Sequence, residues 1–111
     1  MSQLDVTSLE EMQTFTAFVA EKLGPIDVLV NNAGIMLSPL HELTIDVNTR
    51  GVLHGIATGL PEMRARQLGQ IVSVSSIGGH HVWPACAAYS GTKFTVLAIS
   101  ERLRLKITTC A

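Results

Sequence analysis

Ile26-Asp27-Val28-Leu29-Val30, running straight into Asn31-Asn32-Ala33-Gly34, decides how this chain folds. The apolar residues are mostly β-branched and nearly continuous, the pattern of a buried parallel strand rather than of a strand with one wet face. The polar residues and glycine that follow open the strand end into a crevice, where open α/β sheets bind their ligands. Upstream, Thr7-Ser8-Leu9-Glu10 reads as a capping box, and Leu9, Met12, Phe15 or Thr16, Val19 and Leu23 recur at helical spacing until Gly24-Pro25. Before it, Leu4-Asp5-Val6 reads as the stub of a further strand.

Downstream the alternation repeats. From Asp46, the residues Val52, Leu53, Ile56, Leu60 and Met63 predict a helix to about Gln67, bent at Pro61. Ile71-Val72-Ser73-Val74-Ser75 predicts a second buried strand, which Ser76-Ile77-Gly78-Gly79 turns off its end. A loop holding His80, His81, Trp83 and Pro84 leads to a last helix near Tyr89, with Val96, Ile99, Leu103 and Ile107 on its apolar side. Helix, strand, helix, strand, helix with long connections is the order of an α/β, doubly wound parallel sheet.

The 111 residues are 47% hydrophobic and 15% charged, which calls for more burial than so thin a sheet supplies and implies a covering partner. A formal net charge of -1 gives no footprint for nucleic acid. Arg64, Arg66, Arg102, Arg104 and Lys106 read as solvated residues near helix ends. No apolar run reaches the roughly 18 residues of a membrane span, and the opening Met-Ser-Gln-Leu-Asp lacks the pattern of a secretory signal. Cys86 and Cys110 form neither a metal spacing nor a disulfide framework, so the expected setting is the reducing cytoplasm.

Tyr89-Ser90-Gly91-Thr92-Lys93 stacks a phenol and an ammonium on one helix face. A phenol is a weak acid at neutral pH, but a nearby ammonium favours its phenolate and makes it a usable general acid and base. Alone, the spacing is far more often that of an ordinary helix surface. Ser75 and Ser76, ending a strand shortly before that helix, bring a hydroxyl able to polarise the same carbonyl. Asn48 either holds a water against the lysine or simply starts its helix. Adjacent histidines point apart and find no third ligand, so His80-His81 read as loop residues and no metal is expected. Trp83-Pro84 either shapes a pocket or covers the loop, and Met12, Met36 and Met63 fill the core.

In this order, Asp5-Val6, Asn31-Asn32-Ala33-Gly34, Asn48, Ser76 and Tyr89-x-x-x-Lys93 resemble the short-chain dehydrogenase/reductase family across almost the whole chain. In that family the serine precedes the tyrosine by about a dozen residues, which selects Ser76 over Ser75. The resemblance implies an oxidoreductase using NAD or NADP to interconvert a secondary alcohol and a ketone. It implies Tyr89 as general acid/base, Ser76 on the substrate oxygen, Lys93 beside the phenol and on the nicotinamide ribose, and Asn48 anchoring a relay water. Asp5 would meet the adenine amino group with Val6 beside it, and Asn32, Ala33 and Gly34 would line the adenosine side. Association with itself or with relatives through the 46–67 and 89–107 helices is also implied.

The sequence departs from the family in lacking the Thr-Gly-x-x-x-Gly-x-Gly turn that receives the pyrophosphate. The expectation is therefore a single incomplete Rossmann-like domain over residues 1–111, without the first strands and the glycine-rich loop. Several charge-assisted hydrogen bonds, each of about 1.5 to 3 kcal/mol, would be missing from cofactor binding. The alternative is a non-catalytic truncated isoform that associates with full-length dehydrogenase relatives.

Overall fold

The computed structural model describes residues 3–36, 41–81 and 86–109, and of residues 41 and 105–109 the backbone alone. The expectations for Trp83-Pro84 and Cys110 lie outside these. Helix α1 (Leu9–Leu23) leads to strand β1 (Val28–Asn31); α2 (His41–Ile45), a π-turn (Asp46–Arg50) and α3 (Gly51–Arg66) follow without a break. Strand β2 (Gln70–Ser73), a short 3-10 turn (Ile77–Gly79) and α4 (Ala87–Thr109) complete the order. The strands pair in parallel, Val28 against Gln70 through Asn31 against Ser73, as the α/β reading requires.

Small residues let α3 lie close on the sheet. A side chain at Gly55 would run into the Asn31 carboxamide, and a Cβ at Gly59 would sit 3.1 Å from Leu29. Leu29, Asn31, Ile71 and Ser73 are half-buried on that side, whereas Val28 and Val30, each 54% exposed, project from the other with Val72 and Val74. Arg66, expected to be solvated, ties the end of α3 to the start of β1 through Asp27 Oδ1 (2.9 Å) and the Ile26 carbonyl (2.6 Å). The helix ends when Gln67 turns left-handed at φ 54° and Leu68 N–H donates back to the Met63 carbonyl at 3.1 Å. Met12, Val52, Met63 and Val96 are the buried apolar residues described.

Further expectations change. Met36, expected in the core, is 63% exposed, and the strands, expected to be buried, leave Val28 and Val30 on an open face. The cap of α1 is Ser8, one residue later than predicted, its Oγ accepting from Glu11 N–H at 3.2 Å. The helical run containing α3 starts at His41 rather than Asp46, because a single turn upstream is too short to show a period. Leu4-Asp5-Val6 is no strand: the Asp5 N–H and the Val6 carbonyl are engaged by side chains, and the Asp5 carbonyl by a turn.

Candidate active site

Both strands end at the same level, and the Val74 N–H donates to the Asn31 carbonyl (2.9 Å), carrying the pairing one step beyond β2. Lys93 reaches this end from α4. It is only 6% exposed, and its ammonium donates to the Val74 carbonyl at 3.3 Å. Past β1, Asn32, Ala33 and Gly34 are exposed along the open side. A Cβ at Gly34 would stand 3.2 Å from Lys93 Nζ and 3.3 Å from Asn48 Oδ1, so glycine there lets the backbone pass close to both.

Asn48 lies in the π-turn, 0% exposed, inside a continuous helical run rather than at its start. A π-turn is a recurrent way of aiming one side chain out of helical step. The Oδ1 accepts from Ile35 N–H and the Nδ2 donates to the Ile35 carbonyl, both at 2.7 Å, and Nδ2 also donates to Thr92 Oγ1 at 3.2 Å. Both amide hydrogens are therefore engaged, which leaves the second lone pair of Oδ1 for any water.

The phenol and ammonium are neighbours, with Lys93 Nζ 5.7 Å from the centre of the Tyr89 ring. The two serines separate. Ser75 Oγ donates to the Lys93 carbonyl at 3.2 Å, holding the strand end against α4. Ser76 Oγ accepts from Gly78 N–H at 3.2 Å, so its own hydrogen remains to be given. A Cβ at Gly78 would sit 2.9 Å from Tyr89 Cε1 and 3.6 Å from Ser76 Oγ, which puts the tyrosine ring and that serine beside the same glycine. Ser90, buried, pins the preceding loop by donating to the His81 carbonyl at 3.2 Å.

Asp5 and Val6 form a separate, exposed corner. Asp5 Oδ1 accepts from Thr7 N–H (2.9 Å) and Thr7 Oγ1 (2.7 Å); the side-chain bond first and the backbone bond second hold the carboxyl below its ordinary range. Asp5 N–H donates to Glu11 Oε2 at 2.9 Å, and the Asp5 carbonyl accepts from Ser8 N–H at 3.1 Å. Val6 lies against Gly51, where a Cβ would be 2.7 Å from Val6 Cγ2, and its carbonyl accepts from His54 Nδ1 at 2.8 Å.

Sequence reasoning missed Thr92 and His54. Thr92 Oγ1 donates to the Tyr89 carbonyl (2.6 Å) while accepting from Asn48, linking two expected site residues. Its place one residue before Lys93 was the available signal, since a hydroxyl there faces back along the helix. His54 had none. Among the described residues no group of three or more His, Cys, Asp or Glu side chains can hold a metal, and no helix is long and apolar enough to cross a membrane.

The family model for short chain dehydrogenases matches residues 1–109. An uncharacterised oxidoreductase of Staphylococcus saprophyticus is 41% identical over 112 residues, covering 94% of this chain and 46% of its own. A short-chain dehydrogenase from Streptomyces avermitilis superposes with a TM-score of 0.88 at 31% identity, over 97% of this chain and 43% of that one. A gluconate 5-dehydrogenase from Burkholderia cenocepacia, in complex with NADP and tartrate, superposes with a TM-score of 0.87 at 26% identity, over 93% and 44%. The chain thus spans about half the length of the relatives it matches. Family match, parallel strands and shared architecture agree: this chain belongs to the short-chain dehydrogenase family, whose cofactor is NAD or NADP.

Proposed function

We propose that residues 1–111 act as one incomplete dinucleotide-binding domain, carrying the acid/base centre of an NAD- or NADP-dependent oxidoreductase that interconverts a secondary alcohol and a ketone. The observation that carries this reading is the buried Lys93 ammonium beside the Tyr89 ring. With two of its hydrogens unengaged among the described residues, Lys93 fits a pair of ribose hydroxyls. At the exposed corner, Asp5 Oδ2 and Val6 N–H have no hydrogen-bond partner among the described residues. An acceptor beside a donor complements the amino group and ring nitrogen of adenine. Asn32, Ala33 and Gly34 line the way between.

Lys93 and the Asp5–Val6 corner would hold the dinucleotide, which when bound would supply or take up hydride at the carbinol carbon. In the reducing direction Tyr89 gives its phenolic proton to the carbonyl oxygen, while Ser76 donates a hydrogen bond to the same oxygen. The Lys93 charge stabilises the phenolate left behind. A water on Asn48 Oδ1, adjacent to Lys93, would return the proton from solvent. The free thiol of Cys86 fits a reducing, cytoplasmic setting.

The test is titration with NADH and NADPH followed by nicotinamide fluorescence, with turnover measured on a panel of secondary alcohols. Tyr89→Phe should keep binding and lose turnover by about a thousandfold. Unchanged turnover ends the acid/base assignment, and no binding at millimolar cofactor ends the claim that the chain acts alone. The second reading is a non-catalytic chain associating with itself or with relatives through the 46–67 and 89–107 helices. It draws on Leu53 and Phe94, which those helices leave exposed. Co-purification of a relative with a chain that binds no cofactor would favour it.

A further inference from the structure

The bonds among Asp5, Thr7, Ser8 and Glu11 fix the shape of the exposed corner, but all lie within the corner and the first turn of α1. They do not fix where it stands relative to the strand ends. Two contacts from α3 do: the close approach of Gly51 to Val6, and the hydrogen bond from His54 Nδ1 to the Val6 carbonyl at 2.8 Å. A carbonyl only accepts, so Nδ1 carries the hydrogen. The same helical run holds Asn48, clamped to Ile35 and Thr92, and Thr92 in turn bonds the Tyr89 carbonyl. The corner is thereby tied to the phenol through one rigid element.

We infer that His54 is a positioning residue that sets the place of the Asp5–Val6 donor and acceptor relative to the Tyr89–Lys93 pair, and so governs selectivity for adenine. The inference rests on the cofactor reading above. Its chemistry is that of an edge-to-edge pair. Hypoxanthine would turn a carbonyl oxygen toward Asp5 Oδ2 and a ring N–H toward Val6 N–H, making both contacts repulsive. That penalty operates only while the corner is held at bonding distance. With the anchor removed, the segment can withdraw, and discrimination fades along with affinity.

The experiment compares binding of NADH and its reduced hypoxanthine analogue to the full 111-residue chain by nicotinamide fluorescence. The wild type should prefer NADH by about tenfold or more. His54→Leu should weaken NADH binding by about tenfold and bring the preference close to one. His54→Asn, whose amide nitrogen can stand in for Nδ1, should restore both. Loss of a structural contact alone would lower affinity for both dinucleotides equally and leave their ratio intact. A folded His54→Leu chain that discriminates like the wild type overturns the inference, as does failure of His54→Asn to restore the ratio. The His54 Nδ1–H resonance of the wild type, whose hydrogen is the one given to the Val6 carbonyl, separates this from failure of the cofactor reading. If the wild type binds neither dinucleotide, the nucleotide reading falls; an Nδ1–H protected from exchange then still shows the anchor, and a freely exchanging one removes it.

Discussion

At the Tyr89–Lys93 end polar side chains are buried: Asn48, Ser90, Thr92 and Lys93 are almost wholly enclosed, each held by groups distant in sequence. At the Asp5–Val6 corner the polar groups face solvent and bond mainly to residues within one turn. Burial makes each bond at the first end matter to folding, since an unmet partner is left in low dielectric, whereas water can replace a lost bond at the second. Substitutions at the two ends should therefore register in different measurements.

The largest effect should come from Asn48→Ala, which strands the Ile35 N–H and carbonyl and one Thr92 contact. A loss of about 3 kcal/mol in denaturant unfolding is expected. A loss of under about 0.5 kcal/mol would mean the enclosed end is no more costly to disrupt than surface. Lys93→Met sharpens the contrast by removing a buried ammonium whose only described hydrogen-bond partner is a neutral carbonyl. It should raise unfolding stability by about 1 kcal/mol while abolishing turnover, separating what the fold needs from what the chemistry needs.

The smallest effect belongs to the corner. The Asp5 carboxyl is held below its ordinary range in the folded chain, so the folded state binds its proton less readily than the unfolded state. Its contribution is present above the unfolded value and lost as pH falls through the folded one. Titration followed at the Thr7 amide by nuclear magnetic resonance should show a transition on the acid side of an ordinary aspartate, abolished in Asp5→Asn. A Thr7 midpoint at or above the ordinary value would break the corner's description.

Periodic features were the legible ones. Leu9 through Leu23 announces a helix by its period, and Val28 through Val30 and Ile71 through Val74 announce strands by their continuous apolar, mostly β-branched runs, although those runs hid the wet face that the strands have. The approach of α3 to the sheet was harder to read, since glycines at 51, 55 and 59 look like helix-weakening residues until the facing Val6, Asn31 and Leu29 are known. Of the candidate site, Tyr89, Lys93 and Ser76 were proposed from their order along the chain. The division of labour between Ser75 and Ser76 could not, because it depends on which hydroxyl meets the Lys93 carbonyl. His54 was invisible for the same reason: its partner is a backbone atom 48 positions away.

The wide turn at Asp46–Arg50, closed by Gly51 N–H on the Asp46 carbonyl, works as a gear between two faces. Within it, Asn48 must aim at the loop after β1 and at α4; behind it, the glycine ridge must aim at the strands. A regular helix would lock these two directions to one phase, and the slack of a wider turn lets each be met. The length of that five-residue segment is thus more tightly constrained than its composition, because dropping one residue would put the amide and the ridge out of step.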